Sequence, residues 1–120
     1  MNLAEILVSM VMDDGLSMAL VVGRDGLLLE GQSQGRDVDL ETISALATKS
    51  VVDLDRLERT LGSGPVSRVR LRFQSYELLL EVLTETDILV AGVPSAMQSE
   101  RLLDAVARYR DQLKVLLGDF

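Results

Sequence analysis

The chain has 120 residues and a net charge of -7, and 48% of it is hydrophobic but only 3% aromatic, which predicts one globular domain over residues 1–120 with an aliphatic core. Its acidic surface disfavours nucleic acid and anionic membranes. With no Cys and no His, disulfides and thiol chemistry are excluded and the commonest metal ligand and general base are missing, so an enzyme is the weakest of the readings.

The N-terminal segment carries Glu5 and lacks a basic leader, no apolar run approaches a membrane span, and no lipidation signature appears. The expected location is the cytoplasm. Leu3, Ile6, Leu7, Met10 and Val11 recur at helical spacing behind Asn2, a ready N-cap, and Asp13, Asp14 and Gly15 end the pattern. Val8 and Met12 lie off that stripe. They are expected to pack on a neighbouring helix, with a partner surface as the alternative.

Residues 18–32 read as a β-hairpin, with apolar runs at 18–22 and 27–29 hinged on Arg24, Asp25 and Gly26. Asp and Gly tolerate the positive φ angles of a tight turn, and Gly23 leaves both a two-residue turn and a longer bulged one open. Because the runs are apolar almost throughout, both strands are expected to be covered on two faces, with the hairpin central.

A polar loop leads to a long helical pattern over residues 40–61, capped by Asp39 and stopped by Gly62, Gly64 and Pro65. Ile43, Leu46, Ala47, Val51, Leu54, Leu57 and Leu61 form its apolar arc, and Asp55 and Arg59 have the spacing of an ion pair. Asp37, Asp39 and Glu41 alternate as calcium ligands would. Thr42 stands where the loop glycine belongs and Thr48 where the bidentate glutamate belongs, so no metal is expected. The run Gly62-Ser63-Gly64 follows a helix C-terminus and reads as a stop rather than a phosphate loop.

Residues 66–73 alternate, with Val69, Leu71 and Phe73 on one face and Arg68, Arg70 and Arg72 on the other. If Ser75 and Tyr76 form the turn into the next strand, Phe73 faces Leu78, Leu71 faces Leu80, Val69 faces Val82 and Arg70 faces Glu81. The arginines read either as a face paired with Glu77 and Glu81 or edge protection, or as a dimer or partner contact. An arginine finger is a residual. Residues 87–93 form a dense apolar strand closed by Pro94. A last helix is expected over residues 96–117, with Ser95 as N-cap, Asp104 spaced to pair with Arg108, and an apolar face of Leu102, Leu103, Val106, Tyr109, Leu113, Leu116 and Leu117.

The order is helix, two strands, helix, three strands, helix. With the run Ala19-Leu20-Val21-Val22-Gly23-Arg24-Asp25-Gly26-Leu27-Leu28, the hairpin from Arg70-Leu71-Arg72-Phe73 to Leu83, and the strand from Asp87 to Val93, the chain resembles the Roadblock/dynein light chain domain family in its bacterial MglB-like form. The resemblance implies an α+β, α/β/α sandwich with a five-stranded antiparallel sheet, profilin-related, the middle helix on one side and the terminal helices on the other. It also implies a homodimer, pairing strand 66–74 with its symmetry mate and setting the two helices 40–61 side by side. Carried over, the interface holds Leu46, Leu57, Val66, Arg68, Arg70 and Arg72. Members of the family serve as non-catalytic platforms for small Ras-like GTPases, in bacteria often beside a GTPase of polarity or motility. The implied function is a cytoplasmic regulatory or scaffold domain, without cofactor, that binds such a GTPase and modulates its nucleotide cycle or localisation. The alternative is a small-molecule sensor of a related sandwich class, for which Ala19, Ala91 and Gly92 are the only hint of internal room.

Overall fold

The computed structural model describes every residue except 36, 96, 97, 119 and 120. Its elements are α1 (Leu3–Met12), β1 (Met18–Gly23), β2 (Leu28–Ser33), α2 (Leu40–Val52), α3 (Asp55–Leu61), β3 (Arg68–Phe73), β4 (Tyr76–Val82), β5 (Asp87–Val93) and α4 (Ser99–Leu116). The strands form one antiparallel sheet in the order β2-β1-β5-β4-β3. Strands β1 and β5 are therefore interior, and β2 and β3 are edges.

Alternation along β1 and β5 sends side chains to two cores. Ala19, Val21, Leu89, Ala91 and Val93 join Leu79 beneath α1 and α4. Leu20, Val22, Ile88 and Val90 join Leu80 beneath Ala47 and Val51 of α2. The result is the α/β/α sandwich that the family resemblance implies.

Helix α1 begins in a capping box, in which the Asn2 side chain accepts from the Glu5 N–H and Glu5 accepts from the Asn2 N–H. Ile6, Leu7, Met10 and Val11 are buried, whereas Val8 and Met12, expected on a neighbouring helix, are exposed. Among the described residues, none buries these two side chains.

The first hairpin takes one of the two turns left open and departs from expectation in the burial of its second strand. Its turn is the longer, bulged kind: the Gly26 N–H donates to the Gly23 carbonyl, the Gly23 N–H donates to the Leu27 carbonyl, and only Gly26 takes positive φ, at 89°. The register shifts between Val21 and Val22. Moreover, only β1 is covered on both faces; β2 pairs with β1 alone and is an edge, so Leu27 and Leu29 are exposed.

The helix expected over residues 40–61 is two helices. Its start matches the reading, with Asp39 accepting from the Thr42 N–H at 3.0 Å. Thr48 Oγ1 donates to the Ser44 carbonyl at 2.8 Å and lies 3.3 Å from the Gly23 carbonyl of β1. After Val51 the Leu54 N–H turns back to the Val51 carbonyl, three residues away, which tightens the chain and restarts it as α3. Two β-branched residues followed by Asp53 hold an α-helix weakly. Helix α3 buries no residue, so Leu57 and Leu61, assigned to the apolar arc, are exposed, as is Leu46. Gly62 ends α3 at φ 64°, and Asp55 pairs with Arg59 at 2.5 Å.

Strand β3 starts at Arg68, so Val66 precedes it. The turn into β4 is Gln74-Ser75, one residue earlier than expected, which moves every pair by two: Phe73 faces Tyr76, Leu71 faces Leu78, Val69 faces Leu80 and Arg70 faces Leu79. The faces keep their identity because the side-chain period is two. Helix α4 is described from Ser99, with Gln98 rather than Ser95 at its N-cap; the expected start at Ala96 lies outside the described residues. Arg108 pairs with Asp14 at the end of α1 instead of with Asp104. Leu116, assigned to the apolar face, is 45% exposed. Among the described residues, no helix is long and apolar enough to cross a membrane.

Candidate functional site

The candidate residues gather around the β3 edge, but the strand divides them between its two faces. On the α2 side, Leu71 and Phe73 with Ile43, Leu46, Ser50 and Leu78 line a groove of about 230 Å³. Leu46 is 61% and Phe73 56% exposed, and Leu57 on α3 is 51% exposed. Val66 is half-buried in the loop leading to β3. Leu46 and Phe73 thus form an apolar surface beside a strand whose outer edge has no partner among the described residues.

On the α4 side lies the arginine row, and it is paired within the chain. Arg68 donates from Nε and Nη2 to the two oxygens of Glu81, at 2.7 and 3.0 Å. Arg70 Nη2 and Arg72 Nε each donate to Glu77 at 3.0 Å. Helix α4 completes the network, because Ser99 Oγ donates to Glu77 at 2.8 Å and Arg110 Nε lies 2.9 Å from Glu81. The carboxylates are buried rather than solvated, with side-chain exposures of 1% for Glu77 and 5% for Glu81.

Burial opposes the charge of Glu77, but the hydrogen bonds from Ser99, Arg70 and Arg72 and the Arg70 charge outweigh it, holding the carboxyl below its ordinary pKa. The Arg68 pKa is raised by its hydrogen bond to Glu81, against the cost of its own desolvation. A buried carboxylate without these partners would be strongly destabilising. The two glutamates therefore explain how three like charges share one strand face.

The hairpin-turn residues sit at another corner. Asp25 Oδ1 accepts from the Leu27 N–H at 3.0 Å, and the Arg24 N–H donates to the Thr86 carbonyl at 2.8 Å, tying the first turn to the turn between β4 and β5. The small residues that hinted at internal room leave little. Ala19 and Ala91 are paired across β1 and β5 within the core, and the Tyr76 ring lies over Gly92 so closely that a Cβ there would fall within 3 Å of it.

The sequence reading missed three contributors, namely Phe73, Ser99 and Arg110. Phe73 carried a signal as an aromatic at a strand end in a chain nearly devoid of aromatics, but its face alone predicted burial. Ser99 and Arg110 carried none, since only tertiary packing brings α4 over β4.

An α/β/α sandwich built on one five-stranded antiparallel sheet is a fold of Roadblock-like, profilin-related type. The chain belongs to the Roadblock/LC7 domain family, which matches residues 3–92. Among solved structures it is similar to Myxococcus xanthus MglB, with a TM-score of 0.87 at 13% identity over 98% of this chain and 95% of that one. It is also similar to an MglB with a tetrameric arrangement, with a TM-score of 0.84 at 17% identity over 93% and 85% of the two chains. Schizosaccharomyces pombe profilin follows with a TM-score of 0.64 at 15% identity over 96% and 98%. At these identities the likeness is one of fold. No curated protein sequence matches the chain.

Proposed function

We propose that the protein is a non-catalytic, homodimeric regulatory domain of the cytoplasm that binds a small Ras-like GTPase and modulates its nucleotide cycle or localisation. The observation that carries this reading is the coincidence of an unpaired outer edge of β3 with exposed Leu46 and Phe73 beside it. Apolar side chains bordering a free strand are an association surface, since strand pairing supplies the hydrogen bonds and the side chains the burial. Joining two copies through β3 would make one continuous sheet and bring the two α2 helices together. Arg68, Arg70 and Arg72 would lie on the opposite side of that sheet, each row neutralised in part by its own Glu77 and Glu81. Membership of the Roadblock/LC7 family and the fold shared with Myxococcus xanthus MglB support the GTPase as partner.

Light scattering tests the dimer and affinity capture tests the partner. The native chain is expected to be a dimer that Leu46→Glu with Phe73→Glu dissociates, and the native dimer is expected to retain a Ras-like GTPase that the variant loses. A stable native monomer would overturn the reading. The sensor alternative draws on a mainly apolar cleft of about 540 Å³, lined by Ser17, Met18, Gln34, Val38, Ile43 and Tyr76 among others, and a metabolite co-purifying with a monomer would favour it.

A further inference from the structure

We infer that the arginine face of β3, bounded by α4, is a docking shelf for an extended acidic segment of a partner protein. Four guanidinium groups, those of Arg68, Arg70, Arg72 and Arg110, pair with two carboxylates, those of Glu77 and Glu81. The cluster is thus positive in a chain of net charge -7. Local charge of this sign repels a second arginine row like its own and favours an acidic ligand.

The arginines are also fixed in advance. Inner donors of Arg68, Arg70 and Arg72 hold the buried glutamates and Arg110 lies in ion-pair contact with Glu81, while 38% of Arg68, 41% of Arg70, 60% of Arg72 and 39% of Arg110 remain exposed. A guanidinium already held in place loses little rotamer freedom when it meets a carboxylate. Spacing selects the shape of the ligand. Side chains two apart on a strand stand about 7 Å from each other, which matches alternate residues of an extended segment and exceeds the reach of one small anion. Helix α4 walls the shelf along its length, with Ser99 beside Glu77 and Arg110 beside Glu81. The shelf lies on the face opposite Leu71 and Phe73, so joining two copies through β3 would leave that face open and set the two arginine rows side by side.

The test is fluorescence anisotropy of a labelled peptide of alternating Glu and Ala at low salt. Saturable binding is expected, lost by a Lys and Ala peptide, weakened by salt, and weakened about tenfold by Arg70→Gln with Arg72→Gln. Arg56→Gln, on the exposed side of α3, is expected to bind as the native chain does. Should the double variant unfold, Arg72→Gln alone leaves Glu77 with Arg70 and Ser99 and is expected to weaken binding in the same direction. Absence of saturable binding, or binding that survives both arginine variants, overturns the proposal. Inorganic phosphate displacing the peptide at an equal concentration would reveal a small-anion site and overturn it equally.

Discussion

Glu77 shows how a residue chosen against burial comes to be buried. Its carboxylate satisfies two arginines and a serine at once, so its removal leaves donors from both β3 and α4 without an acceptor. Because its pKa in the fold is below the ordinary 4.5, its contribution is complete above that value and is lost as the pH falls through the lowered one. Glu77→Gln is therefore expected to cost about 2 kcal/mol in urea unfolding at neutral pH. The difference from the native chain should shrink as the pH falls through the lowered pKa. Gly92 makes the opposite case, in which the smallest residue is required by a large neighbour. Tyr76 lies across it and bonds to Ser17, whose N–H and Oγ both donate to the Gly92 carbonyl, at 2.9 and 3.0 Å. Gly92→Ala should displace the ring and lower stability by about 1 to 3 kcal/mol, read from thermal unfolding together with a change in the near-ultraviolet tyrosine signal.

At the scale of elements, termini were more readable than lengths. The capping box of α1 needs only Asn2 and Glu5 three residues apart, and Asn2→Ala is expected to cost about 1 kcal/mol without altering the sheet, as chemical denaturation would show. The division of residues 40–61 into α2 and α3 was not readable, because Leu57 and Leu61 continue the helical period although they lie beyond what the sheet can cover. Periodicity reports which side chains share a face and is silent on whether that face meets anything. The β3–β4 register was missed for a related reason. Turns at Gln74-Ser75 and at Ser75-Tyr76 keep the arginines and the leucines on the same faces, and only the cross-strand partners differ. The observed turn sets Arg68 opposite Glu81 and Arg72 opposite Glu77, which is the pairing that neutralises the row.

At the scale of the whole molecule, the two strand edges differ. Strand β2 carries exposed Leu27 and Leu29, but β3 has in addition an apolar groove reaching α2 and a fixed charged face behind it. Because Leu46 is 61% exposed in the single chain, Leu46→Glu is expected to change its intrinsic stability by no more than about 0.5 kcal/mol. The same substitution is expected to weaken self-association, which sedimentation at several protein concentrations would resolve. A large loss of stability at high dilution would instead mean that Leu46 serves the fold.

What residue order dictated was local and periodic: the strands and helices, the two-sided burial of β1 and β5, the alternating face of β3, the cap of α1 and the glycine stop after Leu61. Each depends on neighbours within a few positions, where sterics and side-chain direction leave few choices. Folding in three dimensions chose what sequence separation hides. It put β2 at an edge and β1 inside, ended the useful length of α2 where the sheet ends, laid Tyr76 over Gly92, and carried Ser99 and Arg110 to glutamates that precede them by 22 and 29 residues. Those outcomes depend on packing between distant segments, whose free energies are comparable whichever pair meets until the complete set of contacts is compared.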